Sequence, residues 1–175
     1  QVTIFADAPF RKSDLRKDAN SLSSLVSEQG HPHVTIDIKT ENGADSNFID
    51  VTYDIHPGPK VTMGEYYFSG NFKTRESYLR EEGALETGKP FSLKELLQGQ
   101  KRVQDHSIFK SVFFKPMGLK EKAEKIHLFV ELEEKKPLYL QMGGGYESER
   151  GFFTQSKFGD RNLLGTNKHA WLGGE

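Results

Sequence analysis

The sequence predicts an α+β fold in which a helix–strand–strand unit occurs twice and is followed by a segment made only of strands. Three observations support this fold class. Pro9-Phe10 and Pro90-Phe91 each open a helical pattern, so the chain contains an imperfect internal repeat. Stretches with a period of two follow each helical pattern. After Pro137 glycine becomes frequent and no helical pattern occurs.

The first copy of the repeat predicts one helix and two strands. Its helix has the apolar stripe Leu15, Ala19, Leu22 and Val26, which is one helical face. Strands are predicted at His33–Lys39 and Phe48–His56, with a polar loop at Glu41–Asn47. The inward row of the second strand consists of Ile49, Val51, Tyr53 and Ile55.

The second copy also has a front half. Val61–Ser69 reads as a strand, Gly70-Asn71 as a turn, and Thr74–Glu82 as a short helix that stops at Gly83. These elements precede the repeated part, so the complete unit has the order strand, helix, helix, strand, strand.

The repeated part of the second copy begins with a helix for which Ser92 and Glu95 indicate a capping box. Strands are predicted at Ser111–Pro116 and Ile126–Glu134. The inward row of the last strand consists of Ile126, Leu128, Val130 and Leu132. The period of two indicates a sheet with one wet face.

The glycine-rich end of the chain predicts strands at Leu138–Tyr146, Gly151–Phe158 and Lys168–Gly173, with a polar turn at Glu147–Arg150. Dense glycine is typical of strongly curved sheet or close backbone approach. We expect residues 137–175 to be disordered, or paired with another copy, when they stand alone.

Composition excludes several classes of protein. The 175 residues carry a formal charge of −1, without the basic excess of a nucleic-acid binder, and the absence of cysteine removes disulfides and thiol chemistry. No apolar run is long enough for a membrane helix. The start at Gln1 has no signal peptide, and we expect a processed or cut-out fragment.

Enzyme and metal motifs are weak. Gly83–Lys89 has the glycine and lysine spacing of a phosphate loop, but Pro90 stands where a magnesium-binding hydroxyl is needed, so a turn between helices is favoured. His31 and His33 lack a third metal ligand at a recognisable spacing. His56, His106, His127 and His169 are interpreted as surface or strand residues, and Glu131, Glu133 and Glu134 as a solvated strand face. We expect no enzyme activity, cofactor or metal.

The repeating unit resembles the POTRA (polypeptide-transport-associated) domain. The resemblance rests on Pro57-Gly58-Pro59 leading into Val61, on Tyr66–Asn71, on Gly88–Phe91 and on Val130–Lys136. It implies a three-stranded sheet with two helices on one face. The exposed edge of that sheet is the fourth element of each unit.

The final segment resembles the first strands of the transmembrane β-barrel in the BamA/TamA outer-membrane superfamily. It does so through Gly143–Tyr146, Gly151-Phe152 and Asp160–Thr166. The predicted domains are therefore half a POTRA domain at 1–57, a complete one at 58–136 and incomplete barrel strands at 137–175. The resemblance places the chain at the outer membrane of a Gram-negative bacterium, with this region mainly in the periplasm.

The resemblance also implies function. POTRA domains receive unfolded outer-membrane clients, and we expect an extended client to add as a strand at the two sheet edges. By resemblance, the first barrel strand pairs weakly with the last strand and can open to template an incoming strand, and its glycines favour such a loose seam. An ordinary barrel strand is the alternative. The predicted edge residues are Ser111, Val112, Phe113, Phe114 and Lys115, with His33, Val34, Thr35, Ile36 and Asp37; the predicted seam residues are Leu138, Leu140, Met142, Gly143, Gly144, Gly145 and Tyr146.

The expected partners are unfolded outer-membrane proteins, accessory lipoproteins or periplasmic chaperones, and the membrane itself through a barrel; nucleic acid is not among them. Two alternatives stay open. A two-partner secretion transporter would export one dedicated partner, and a structural periplasmic scaffold would bind a fixed neighbour without touching clients. The two edge strands could also be ordinary edges protected by Lys110, Lys115 and Pro116.

Overall fold

The computed structural model of the chain describes residues 9–43 and 48–175. In these residues the fold is α+β, as predicted. The helices are α1 (Lys12–Ser27), α2 (Glu76–Gly83) and α3 (Leu93–Gln104). The strands are β1 (Thr35–Asn42), β2 (Ile49–His56), β3 (Thr62–Ser69), β4 (Phe109–Met117), β5 (Lys125–Glu134), β6 (Leu138–Glu147), β7 (Gly151–Leu163) and β8 (Lys168–Gly174). None of the described helices combines the length and apolar character needed to cross a membrane.

The strands form three sheets, in the orders β1-β2, β3-β5-β4 and β6-β7-β8. The chain divides into two units. The first combines the described residues up to Glu65 with Thr87–Glu95 and Pro116–Leu128. The second combines Tyr66–Glu86, Leu96–Lys115 and Phe129–Glu175.

In the first unit, α1 forms over the predicted apolar stripe and buries Leu15 and Asp18. Strands β1 and β2 pair antiparallel from Thr35 opposite His56 to Asn42 opposite Ile49. The loop predicted at Glu41–Asn47 is wrong at its start, because Glu41 and Asn42 still pair with β2. Residues 44–47 of that loop lie outside the described residues.

The same unit contains an unusual contact between β3 and β5. The backbone N–H of Glu65 donates to Nδ1 of His127 at 3.0 Å. A Cβ on Gly64 would lie 2.9 Å from the same nitrogen, so only glycine leaves room for the imidazole ring. His127 lies in β5, as the prediction of a surface or strand residue has it, and its ring in addition accepts a backbone hydrogen bond from β3.

In the second unit, α2 and α3 approach closely through two glycines. A Cβ on Gly99 would lie 2.4 Å from the carbonyl oxygen of Gly83. The Arg102 side chain donates to the carbonyls of Glu82 at 2.9 Å and Gly83 at 3.1 Å. Arg102 thereby satisfies carbonyls that the end of α2 leaves unpaired.

The predicted inward row of β5 is confirmed. Its four side chains are all buried. Their exposed fractions are 0% for Ile126, 0% for Leu128, 1% for Val130 and 6% for Leu132.

Residues 137–175 form a three-stranded antiparallel sheet, so the expectation of disorder is wrong, while pairing with another copy stays a prediction. Strand β7 is longer than predicted and reaches Leu163, because its far end pairs with β8. A register shift between Asp160 and Leu163 interrupts that pairing. Strand β6 pairs with β7 from Leu138 opposite Asp160 to Glu147 opposite Gly151.

Candidate functional site

Strand β4 lies at one edge of its three-stranded sheet, and it contains the predicted edge residues. Val112 is buried against the core, whereas Phe113 is 53% exposed. Lys110 pairs with Glu133 at 2.6 Å, and Lys115 pairs with Glu131. The strand thus presents an exposed aromatic side chain between two exposed ion pairs.

One amide of β4 is already occupied. The backbone N–H of Phe114 donates to Oε1 of Gln100 on α3 at 3.0 Å. Pro116, two residues further, has no amide hydrogen. The edge is therefore partly protected, which is a common way to prevent unwanted strand pairing.

The opposite edge strand, β3, is covered where it begins. Met63 donates to the Lys89 carbonyl at 2.8 Å and accepts from the Gly88 amide at 2.8 Å, and Phe91 donates to the Val61 carbonyl at 2.9 Å. The segment between α2 and α3 therefore occupies this edge. Of the two edges of the sheet, β4 is the less covered.

The second predicted edge begins before β1. His33 and Val34 precede the strand, while Thr35, Ile36 and Asp37 belong to it. The side-chain atom Nε2 of His33 is buried without a hydrogen-bond partner among the described residues. Ile36 lies opposite Ile55 in the register with β2, and both strands of this sheet have an open side.

The predicted seam strand β6 is an edge strand, and side chains of β7 approach two of its three glycines. A Cβ on Gly145 would lie 2.8 Å from the Phe153 ring, and one on Gly143 would lie 3.1 Å from the Gln155 side chain. Aromatic or long side chains over strand glycines restore packing that glycine lacks. These contacts concern the pairing of β6 with β7, and the weak seam with the last strand of a barrel stays a prediction.

The two faces of the last sheet differ in character. On one face the cross-strand register aligns Leu140, Phe158 and Leu172, all exposed, with Leu138, Met142 and Tyr146 in the same row of β6. On the other face Lys157 lies 4.2 Å from the Trp171 ring centroid. This face also carries Tyr139, with the Arg161 guanidinium 4.8 Å from its ring.

The segment Asp160–Thr166, from which the barrel resemblance was partly drawn, contacts the turn between β3 and α2. The Nζ atom of Lys73 lies 2.6 Å from the Asp160 carboxylate. Asn162 is buried and donates to Oγ1 of Thr74 at 2.9 Å. The Arg75 amide donates to the Gly165 carbonyl at 3.1 Å.

Glu134, the last residue of β5, also holds the turn between β3 and α2. Its carboxylate accepts the backbone N–H groups of Lys73 at 3.0 Å and Thr74 at 2.8 Å. The interpretation of Glu134 as part of a solvated face is therefore wrong. Sequence periodicity could not reveal this role, because the acceptor and its donors are about 60 positions apart.

His106 extends this network to the helices. Its Nδ1 lies 2.9 Å from the Asn167 side-chain amide, and its Nε2 lies 3.0 Å from the Glu82 carboxylate. Burial raises the pKa of the neighbouring Tyr78, and the hydrogen bond with Asn167 opposes that rise. The interpretation of His106 as a surface or strand residue missed these two contacts, which hold a partly buried ring outside the strands.

A junction missed by sequence reasoning joins α1 to the second copy within the first unit. The Ser92 hydroxyl donates to the Glu28 carboxylate, while its oxygen accepts the Glu95 amide at 3.1 Å, as the predicted cap requires. The Val61 amide donates to the Gly30 carbonyl at 2.7 Å. A Cβ on Gly30 would lie 3.1 Å from the same Val61 residue, at its carbonyl oxygen.

Within residues 9–43 and 48–175, no three histidine, aspartate or glutamate side chains form a group that could hold a metal ion. Nδ1 of His31 lies 3.1 Å from the Gly58 carbonyl, in the segment that connects the two copies.

Comparison with known proteins gives curated relatives that share one name. No family model matches the chain. A relative from Neorickettsia risticii (strain Illinois), named outer membrane protein assembly factor BamA, is 27% identical over 95% of this chain and 22% of the relative. The protein of the same name from Neisseria meningitidis serogroup B is 23% identical over 93% of this chain and 20% of the relative. The chain spans about a fifth of the length of these curated relatives.

Solved structures show the same likeness in the fold. BamA from Haemophilus ducreyi lacking POTRA domains 1–3 matches 98% of this chain and 32% of that chain, with a TM-score of 0.68 and 19% identity. POTRA3–5 of Haemophilus influenzae BamA matches 75% of this chain and 52% of that chain, with a TM-score of 0.51 and 18% identity. The predicted POTRA-like fold and the resemblance to the BamA superfamily are confirmed. The relatives' name refers to the outer membrane, which agrees with the predicted location.

Proposed function

We propose that the chain is the POTRA region and the first barrel strands of an outer-membrane protein assembly factor, and that it is not an enzyme. It receives unfolded β-barrel clients by strand addition and passes them to the barrel. Its domains are the half POTRA unit up to residue 57, the complete one at 58–136 and the barrel strands from 137. The BamA relatives support the general role, since their name describes assembly of outer membrane proteins.

The observation that carries strand addition is the position of β4. It is an edge strand that pairs with β5, whose inward row is buried, and it exposes Phe113. An extended client can pair with the backbone of such an edge with little regard to its own sequence, and Phe113 offers an apolar contact for its side chains.

The strength of such binding suits a carrier. At about 1 kcal/mol net for each hydrogen bond, four to six bonds contribute only a few kcal/mol. A client held in this way is released easily.

The exposed apolar row of β6, β7 and β8 supports the assignment of these strands to a barrel, because a barrel wall turns such a row towards lipid.

A structural scaffold is the second candidate, and one observation favours it. The Phe114 amide is occupied by Gln100, and two lysine pairs border the edge. A strand protected in this way needs no client. The two candidates differ in what happens when Gln100 is removed.

The test is an NMR titration of the chain with an unfolded barrel-strand peptide. Shifts are expected at the amides of Ser111–Lys115, with smaller ones at His33–Asp37, and they should persist with a scrambled peptide of equal composition. Gln100→Ala should tighten binding about five-fold, because one competing hydrogen bond of about 1 kcal/mol is lost. Gln98→Ala, at an exposed position on the same helix, is the matched control.

Three results would decide against the proposal. No shifts at millimolar peptide, in the chain and in Gln100→Ala alike, would leave the scaffold. Binding of only one peptide sequence would favour a two-partner secretion transporter. Shifts spread over β3 as strongly as β4 would remove the assignment of the client edge.

A further inference from the structure

We infer that the turn between β7 and β8 and the turn between β3 and α2 form a joint that fixes the β7–β8 hairpin to α2 and to His106, which follows α3. We call it the hairpin joint, and it comprises Lys73–Arg75, Asp160–Asn167 and His106. Asn162 is its main positioning residue. The hairpin joint does not depend on client binding, so the two proposals can fail separately.

Asn162 makes three hydrogen bonds within the joint, two from its side chain and one from its backbone. It is 3% exposed, and its amide nitrogen donates to Oγ1 of Thr74 at 2.9 Å. Its side-chain oxygen accepts the backbone N–H of Asn167 at 2.8 Å. The backbone N–H of Asn162 donates to the Asp160 carboxylate at 2.9 Å. A buried polar side chain satisfied at both ends fixes a geometry, since losing either partner leaves a costly unpaired group.

Gly165 permits the close approach of the two turns. Its φ is +74°, a backbone conformation that side chains other than glycine rarely adopt. A Cβ at this position would lie 2.2 Å from the Lys73 carbonyl oxygen. The contact between the turns therefore depends on the absence of a side chain.

Asn167 provides a second attachment, to the helices. Its side-chain amide lies 2.9 Å from Nδ1 of His106, whose other nitrogen lies 3.0 Å from the Glu82 carboxylate on α2. When Asn167 donates to Nδ1, the proton of the neutral ring is on Nε2 and faces Glu82. The hairpin is thus held by α2 as well as by the turn that precedes that helix.

Only part of the Asn162 side chain serves the β7–β8 turn itself. The Gly165 amide donates to the Asn162 carbonyl at 3.1 Å, and the Thr166 amide donates to the Leu163 carbonyl at 3.3 Å. The Asn162 side-chain oxygen adds one bond inside the turn, from the Asn167 backbone N–H. The bond from the Asn162 side-chain nitrogen to Thr74 leaves the hairpin, so this bond and the burial of Thr74 are explained by attachment of the hairpin.

The test uses amide hydrogen exchange of the chain in detergent micelles. The Arg75 amide reports attachment, because it donates to Gly165 across the two turns. The Gln141 amide reports the sheet, because Arg161 donates to the Pro137 carbonyl and every second pair from there, including Gln141 opposite Lys157, is a hydrogen-bonded one. Asn162→Ala should accelerate exchange at Arg75 about ten-fold and leave the sheet amides within about two-fold. Leu164→Ala, at an exposed position of the same turn, should change neither.

Thr74→Val tests the joint from its other side, in case Asn162→Ala fails to fold. It keeps the shape of the side chain and removes the hydroxyl that accepts from Asn162. Faster exchange at Arg75 with protected sheet amides supports the joint. Unchanged exchange at Arg75 in both variants would overturn it. Equal acceleration of the β6–β7 amides would also overturn it, since Asn162 would then support the sheet itself.

Discussion

The first copy of the helix–strand–strand repeat (α1, β1, β2) and the second copy (α3, β4, β5) share a sequence pattern, but they bury its apolar side chains to different extents. In β5 Leu128 is 0% exposed, whereas Ile49 and Ile55, at the ends of the matching row in β2, are 40% and 37% exposed. The second sheet has three strands and the first has two. Alternation along a strand therefore defines a face, and further strands and helices are needed to bury it.

The carboxylates of the two copies also differ in exposure, and again those of the first copy are the more exposed. Asp37 and Asp54 lie on the exposed face of β1 and β2, within 3.4 Å of His56 and Lys39 respectively. Glu134, at the end of β5, accepts two backbone amides of the β3–α2 turn. Exposed ion pairs contribute little to stability, whereas a partly buried carboxylate that satisfies backbone amides contributes more.

This difference bears on the proposed client edges. A strand added at β4 would extend a sheet with a buried row, while one added at β1 would extend a thin, two-stranded sheet. The first platform is the more rigid, so we expect the larger part of client binding at β4.

The largest expected effect tests the difference in burial. Leu128→Ala should lower the free energy of unfolding by about 2–5 kcal/mol, because it removes a buried side chain and leaves a cavity. Ile55→Ala should lower it by less than about 1 kcal/mol, since that side chain is already partly in water. Urea unfolding measures both. Equal losses in the two variants would show that the first row is buried as deeply as the second.

A smaller effect tests the carboxylates. Glu134→Ala should lower the free energy of unfolding by about 1–3 kcal/mol, because the amides of Lys73 and Thr74 lose their acceptor. Glu133→Ala, its neighbour in an exposed ion pair, should change stability by about 0.5 kcal/mol or less. Urea unfolding again provides the comparison. A loss at Glu133 as large as that at Glu134 would contradict the distinction.

The sequence predicted those parts of the fold that follow from local periodicity. The α1 stripe, the β5 row and the Ser92 cap were all visible in spacing alone, since helices and strands repeat at fixed intervals. Element ends were less predictable. Strand β7 reaches Leu163 because of pairing with β8, which no local pattern records.

The hairpin joint was beyond sequence reasoning for a physical reason. Asn162 and Thr74 are 88 positions apart, and both are polar residues that a pattern places at the surface. Their burial depends on the approach of two turns. One signal was present in the sequence, the glycine at Gly165 three positions after Asn162, because a positive φ often marks a close approach of backbones.

The smallest expected effect concerns Tyr53, in the partly buried row of β2. Its hydroxyl is buried without a hydrogen-bond partner among the described residues. Tyr53→Phe should therefore leave the free energy of unfolding at neutral pH unchanged or raise it by up to about 1 kcal/mol, because an unsatisfied polar group is removed. Tyr67→Phe, at an exposed position, controls for the loss of one tyrosine.

The same variant gives a pH dependence whose direction follows from the environment of Tyr53. Burial raises the pKa of the hydroxyl above its usual value near 10, and the Asp18 carboxylate raises it further. Ionisation of Tyr53 therefore leaves the free energy of unfolding unchanged below about pH 10 and lowers it as the pH rises through the raised pKa, since the unfolded state ionises first. Urea unfolding at neutral and alkaline pH should show a smaller loss for Tyr53→Phe than for the unaltered chain. An identical loss would mean that this hydroxyl is as accessible to water as the rest of the β1–β2 sheet. The two copies would then differ even more in burial.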